Sequence, residues 1–216
     1  MKCDKNSLLL YAVTDRSWTG ERTLYEQVEA AIKGGVTFIQ LREKELDNES
    51  FVDEALKIKS ICSEYNIPFV INDNVHVAME INADGVHVGQ NDMTAKEVRR
   101  LIGKDKILGV SVQNVEQAIL AQNQGADYLG VGAVFHTDSK SDADHVSYET
   151  LKQICNSVKI PVVAIGGIGV NNVSELKGSG ISGIAVISAI FGADDIQLAA
   201  KELRRVCYEN GFINSR

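Results

Sequence analysis

Asp73 and Asp92 each lie just past a short apolar run, in Asn72-Asp73-Asn74 and Gly89-Gln90-Asn91-Asp92. Two carboxylates suffice for magnesium when substrate phosphates and waters complete its shell. Gln40-Leu41-Arg42-Glu43-Lys44 follows another such run, and alternation along an extended chain sends Gln40, Arg42 and Lys44 to one side. A planar guanidinium fork and a compact ammonium beside an amide suit a diphosphate. Ser111-Val112-Gln113-Asn114 brings a hydroxyl and amides that suit a phosphate or a heterocycle. Capping of a following helix is the competing reading for residues 72–74 and 111–114, since Asn, Asp and Ser are favoured there. Gly166-Gly167-Ile168-Gly169 and Val186-Ile187-Ser188 offer backbone amides to an anion, helped by the positive end of a helix. Residues 135–145, Phe-His-Thr-Asp-Ser-Lys-Ser-Asp-Ala-Asp-His, are polar without an apolar period and read as a loop that closes over ligands, carrying Lys140.

These groups are far apart in sequence, so a frame must bring them to one rim. Short runs rich in Val, Ile and Leu alternate with longer stretches of helical period, the pattern of βα units around a parallel sheet. Strands are expected at residues 8–14, 37–42, 69–73, 85–89, 107–112, 128–135, 162–166 and 183–188. Helices are expected at 23–33, 48–64, 94–101, 115–123, 148–157 and 195–209. A weak repeat supports the count, with Gly35-Val36-Thr37, Ala83-Asp84-Gly85, Gly125-Ala126-Asp127 and Gly180-Ile181-Ser182 each leading into an even-numbered strand. Pro68 and Pro161 sit at strand starts, where a missing donor does little harm. Eight units without a linker close into a single-domain (β/α)₈ TIM barrel over residues 1–216, with a short N-terminal extension at 1–7. An open doubly wound sheet is the alternative. In either, the site gathers where strands end and helices begin.

Composition narrows the function. With 44% hydrophobic and 24% charged residues, a net charge of −7 and no basic run, the chain fits a globular enzyme better than a nucleic-acid binder. No stretch nears the roughly 18 apolar residues of a membrane helix, so no membrane partner is expected. Cys3, Cys62, Cys155 and Cys207 are widely spaced without a C-x-x-C pair and read as inert thiols in a reducing cytoplasm. His76, His87, His136 and His145 share no metal-ligand spacing, and His87 reads as an interior residue. The expected partners are small phosphorylated molecules, and a homo-oligomer stays open.

From Tyr11-Ala12-Val13-Thr14-Asp15 to Ile184-Ala185-Val186-Ile187-Ser188-Ala189 the chain resembles the thiamine-phosphate synthase family. The resemblance implies a transferase of thiamine biosynthesis that condenses an aminopyrimidine diphosphate with a thiazole phosphate and releases pyrophosphate, using Mg2+. It implies that Gln40, Leu41, Arg42, Glu43, Lys44, Asn72, Ser111 and Lys140 hold the pyrimidine diphosphate, with Arg42, Lys44, Ser111 and Lys140 catalytic. It assigns Asp73 and Asp92 to the metal, and Thr137, Asp138, Ser139, Gly167, Ile187 and Ser188 to the thiazole phosphate. Ala133 and His136 stand where the family's strand-six motif carries prolines, and Ser139 where threonine is common. A thiazole tautomerase, which resembles this family, is the rival reading; it would need neither metal nor diphosphate grip. A non-catalytic phosphate-binding barrel is a second rival, and it leaves the rim carboxylates unexplained.

Overall fold

Period-two alternation in short strands sorts side chains into two layers. In a computed structural model, which describes residues 3–137 and 145–212, the strands close into one parallel barrel in sequence order. The units run β1 (Leu10–Val13), α1 (Leu24–Gly34), β2 (Phe38–Leu41), α2 (Asn48–Glu64), β3 (Phe69–Asn72), α3 (Val75–Glu80), β4 (Gly85–Val88) and α4 (Ala95–Ile102). They continue with β5 (Ile107–Val112), α5 (Val115–Asn123), β6 (Tyr128–Val131), α6 (Tyr148–Ser157), β7 (Val162–Ile165), β8 (Gly183–Val186), α7 (Ser188–Phe191) and α8 (Ile196–Glu209). The expected (β/α)₈ barrel is therefore the architecture, and the open sheet is not.

Inward positions form a small cluster of Leu8, Tyr11, Val13, Phe38, Val70, Ile107, Tyr128, Val163 and Ala185. Outward positions such as Leu10, Ala12, Ile39, Leu41, Ile71 and Val86 join the larger core beneath the helices. On α2, Phe51, Ala55, Ile58, Ile61 and Cys62 recur at helical spacing and are all buried. Burying each large side chain of this kind contributes roughly 1.5–3 kcal/mol.

Several boundaries differ from expectation. β1 starts at Leu10, because Lys5–Leu8 forms a 3-10 helix capped by Asp4. Leu8, the last residue of this turn, enters the interior cluster, and Cys3 packs against it. β6 stops at Val131 rather than running to 135. Past Val131 the ladder skips two residues before Val134 N–H and Phe135 N–H return to Ile165 O at 3.0 Å and Gly166 O at 3.1 Å. The Gly132–Ala133 peptide in this gap is cis. Two short helices, α3 and α7, were not expected, and the stretch between β7 and β8 holds only a 3-10 turn, Val173–Leu176.

Helix starts are built by side chains. Thr94 accepts from Glu97 N–H while the Glu97 carboxylate takes the Thr94 N–H, a reciprocal capping box at α4. Thr94→Ala is expected to lower stability by about 1 kcal/mol, read as a melting temperature about 2–4 °C lower, with turnover unchanged.

Candidate active site

All the rim groups leave the C-terminal ends of strands. Beyond β2, Arg42 Nη1 donates to Asp15 Oδ2 at 3.0 Å, and Asp15 also caps the 3-10 turn Arg16–Trp18 through Ser17 N–H. Arg16 forks onto Glu43, Nη2 to Oε1 at 2.7 Å and Nε to Oε2 at 3.2 Å. The Glu43 side chain is only 2% exposed, and its carboxylate is taken up by Arg16. Leu41 is fully buried in the core beneath the helices, which leaves its backbone alone to meet a substrate. Alternation thus sends the Leu41 side chain outward, and Arg16 engages that of Glu43.

Lys44 Nζ lies 2.5 Å from Asp73 Oδ2. Asp73 sits in the left-handed region at φ 60°, a conformation that non-glycine residues keep only when their surroundings enforce it. Its N–H donates to His87 O at 2.8 Å, tying the end of β3 to β4. The Asp92 carboxyl accepts Gly89 N–H at 2.7 Å and comes within hydrogen-bonding reach of Asp73. Partial burial, then the Asp73 carboxyl, raises the Asp92 pKa above its ordinary value. Two carboxyl groups from adjacent loops therefore meet at one pole of the barrel.

This donor set fits a divalent cation. Among the described residues no cluster of three or more His, Cys, Asp or Glu forms. A pair of hard oxygen donors with room for waters and phosphates is nonetheless what magnesium commonly takes. The capping reading holds for Asn74, which caps α3, and for Asn114, which caps α5. Asp73 and Ser111 are not caps.

Below the rim, Gln40 is buried and its Nε2 donates to Tyr11 Oη. Ser111 Oγ lies 2.8 Å from His87 Nε2, and Asn72 pairs with His87 in register across β3 and β4. On the far side of the mouth Gly167 has φ 64°, and a Cβ there would fall 2.2 Å from His136 O, so only glycine fits. Ile187 precedes α7 and Ser188 opens it, where the first N–H groups have no carbonyl within the helix. Thr137 is described and partly buried, whereas Asp138, Ser139 and Lys140 lie outside the described residues. Sequence reasoning missed Asp15 and Arg16 as rim residues, although they follow β1 as the others follow their strands. It also missed Tyr11 and Tyr128 as polar groups. His87 is interior as expected.

A model described as thiamine monophosphate synthase matches residues 10–190. The chain is similar to thiamine-phosphate synthase from Clostridium tetani, 53% identical over 205 residues that cover 95% of each chain. It is also similar to thiamine-phosphate synthase from Clostridium acetobutylicum, at 51% identity over 93% of this chain and 95% of that one. Among solved structures, thiamine phosphate pyrophosphorylase from Pyrococcus furiosus superposes with a TM-score of 0.88 at 41% identity, covering 95% of this chain and 98% of that one. With its closed barrel and its rim of paired carboxylates and cations, the chain belongs to the thiamine monophosphate synthase family.

Proposed function

We propose that this chain joins an aminopyrimidinylmethyl diphosphate to a thiazole phosphate, giving thiamine phosphate and pyrophosphate, with magnesium as its metal. The observation that carries this reading is the meeting of Asp73 and Asp92 beside Lys44.

Asp73 and Asp92 would hold the cation, which when bound neutralises charge on the diphosphate oxygens. Lys44 then leaves Asp73 for a diphosphate oxygen. Arg42 keeps Asp15 with one N–H, and a guanidinium has five, so donors remain for the leaving group. Gln40, Asn72 and Ser111 hold the pyrimidine, and Lys140 adds a further cation. As the C–O bond breaks, its electron pair departs with pyrophosphate, and the thiazole nitrogen lone pair forms the new C–N bond to the pyrimidinylmethyl cation. A ring nitrogen has no proton to lose, so no general base is needed. Backbone amides at Gly167, Ile187 and Ser188, with Thr137, Asp138 and Ser139, grip the thiazole phosphate. Closing the site keeps water from capturing the cation as an alcohol. A reducing cytoplasm suits the four free cysteines, and among the described residues no helix is long and apolar enough to cross a membrane.

The test is to incubate both substrates with and without Mg2+. Thiamine phosphate and equimolar pyrophosphate are expected only with the metal, and a chelator should stop both. Thiazole phosphate binding without pyrophosphate release would overturn the reading. Indifference to chelator would favour the isomerase, for which the names of the relatives give no support.

A further inference from the structure

We infer that a one-way hydrogen-bond relay buried inside the barrel sets the donor and acceptor order of the pyrimidine pocket, and so selects an aminopyrimidine over its 4-oxo counterpart. This deepens the proposed function and rests on its assignment of Gln40 and Ser111 to the pyrimidine. The relay residues Tyr11, Tyr128 and His87 are positioning residues.

The order follows from the atoms. Gln40 Nε2 can only donate, so Tyr11 Oη accepts from it. The remaining partner of the Tyr11 hydroxyl is Tyr128 Oη at 2.8 Å, which must therefore receive the Tyr11 proton. Tyr128 in turn lies 2.9 Å from His87 Nδ1. With Tyr128 Oη already accepting, its own proton goes to His87 Nδ1; once Gln40 Nε2 donates to Tyr11, any other order leaves a buried hydroxyl without an acceptor. His87 then carries its proton on Nε2 and donates to Ser111 Oγ at 2.8 Å. At one end Gln40 presents Oε1, an acceptor with no donor among the described residues. At the other end Ser111 presents an O–H free to donate.

Burial raises both tyrosine pKa values above the ordinary one, so both keep the protons the relay needs. The barrel also makes room for it. A Cβ at Gly109 would fall 2.3 Å from Tyr128 Oη and 2.4 Å from His87 Nδ1, and one at Gly130 would fall 3.2 Å from His87 Cε1. Glycine at these inward positions leaves the space that the Tyr128–His87 contact fills.

An acceptor at Gln40 and a donor at Ser111 match a 4-amino group beside an unprotonated ring nitrogen. The 4-oxo ring reverses the order at Gln40, setting its carbonyl oxygen against Oε1, while its ring N–H takes the second lone pair of Ser111 Oγ and leaves the serine proton without an acceptor. Sites built on placed hydrogen bonds reject mismatched analogues strongly, because their buried polar groups are left unpaired.

The experiment measures calorimetric affinities of the 4-amino and 4-oxo pyrimidinylmethyl diphosphates for wild type and Tyr128→Phe, with magnesium present. Ligand-free wild type is also examined by 15N NMR at His87. Wild type should prefer the amino form by at least about 10²-fold. Tyr128→Phe should cut that ratio by about tenfold, the upper effect of one neutral hydrogen bond, with affinity for thiazole phosphate unchanged. The NMR spectrum should show the Nε2–H tautomer. An unchanged ratio in the variant, or an Nδ1–H tautomer in wild type, overturns the relay, and the tautomer decides even if the variant does not fold. Wild type that binds neither pyrimidine yet shows Nε2–H overturns the proposed function and the selectivity with it, but not the relay's geometry.

Discussion

Asp92→Asn is expected to lower turnover by at least about 10²-fold, as loss of one preorganised charge-stabilising group does, and yet to raise the melting temperature measured without metal. The amide keeps an oxygen for the Gly89 N–H that Asp92 accepts at 2.7 Å, so the loop holds its shape. What disappears is a negative charge facing Asp73. The Asp92 pKa is raised by partial burial and by that neighbour. A carboxyl with a raised folded pKa stabilises the fold below its unfolded pKa, and that contribution is lost as pH rises through the folded value. At neutral pH the charged form works against the fold until a cation offsets it. Magnesium should accordingly raise the wild-type melting temperature, since a ligand that binds only the folded state stabilises it, and should do little for the variant. Near-normal turnover, or equal stabilisation of both proteins by magnesium, would remove Asp92 from the metal.

The same residues show what was legible in the sequence. Runs such as Ile67-Pro68-Phe69-Val70 and Ile160-Pro161-Val162-Val163 announce buried parallel strands, since both faces are covered and alternation is hidden under apolar residues. Their polar followers mark one rim, so Arg42, Lys44, Asp73 and Asp92 are legible as neighbours in the sequence itself. Short elements escaped. α3 is six residues and α7 is four, too few for a periodic signal. The end of β6 was hidden because Ala133, Val134 and Phe135 continue its apolar run while the backbone has left the ladder. Ion-pair partners such as Arg16 with Glu43 were invisible, since nothing in a sequence tells which carboxylate a guanidinium will take. Tyr11 and Tyr128 read as core aromatics, and their hydroxyls meet only because the barrel brings residues 117 positions apart into contact.

Gly109→Ala tests that hidden interior most severely. Gly109 pairs with His87 on one side and Tyr128 on the other, so its missing Cβ points where those two side chains meet. A methyl there would lie 2.2 Å from Tyr128 Cζ and must displace a fully buried ring. Overpacking of this kind costs about 1–3 kcal/mol, or about 2–4 °C of melting temperature per kcal/mol in a chain of this size. Gly169→Ala is the control for stability, because nothing lies within 4 Å of its would-be Cβ, and surface changes of that sort stay within about 0.5 kcal/mol. The functional consequence follows from which strands move. Displacing Tyr128 and His87 shifts Ser111 on β5 and Gln40 through Tyr11, whereas Gly167 and Ser188 follow strands β7 and β8. Gly109→Ala should therefore weaken pyrimidine diphosphate binding far more than thiazole phosphate binding. Equal losses for both substrates would mean that the barrel deforms as a whole, and wild-type stability would mean that the Tyr128–His87 contact is not packed as the structure has it.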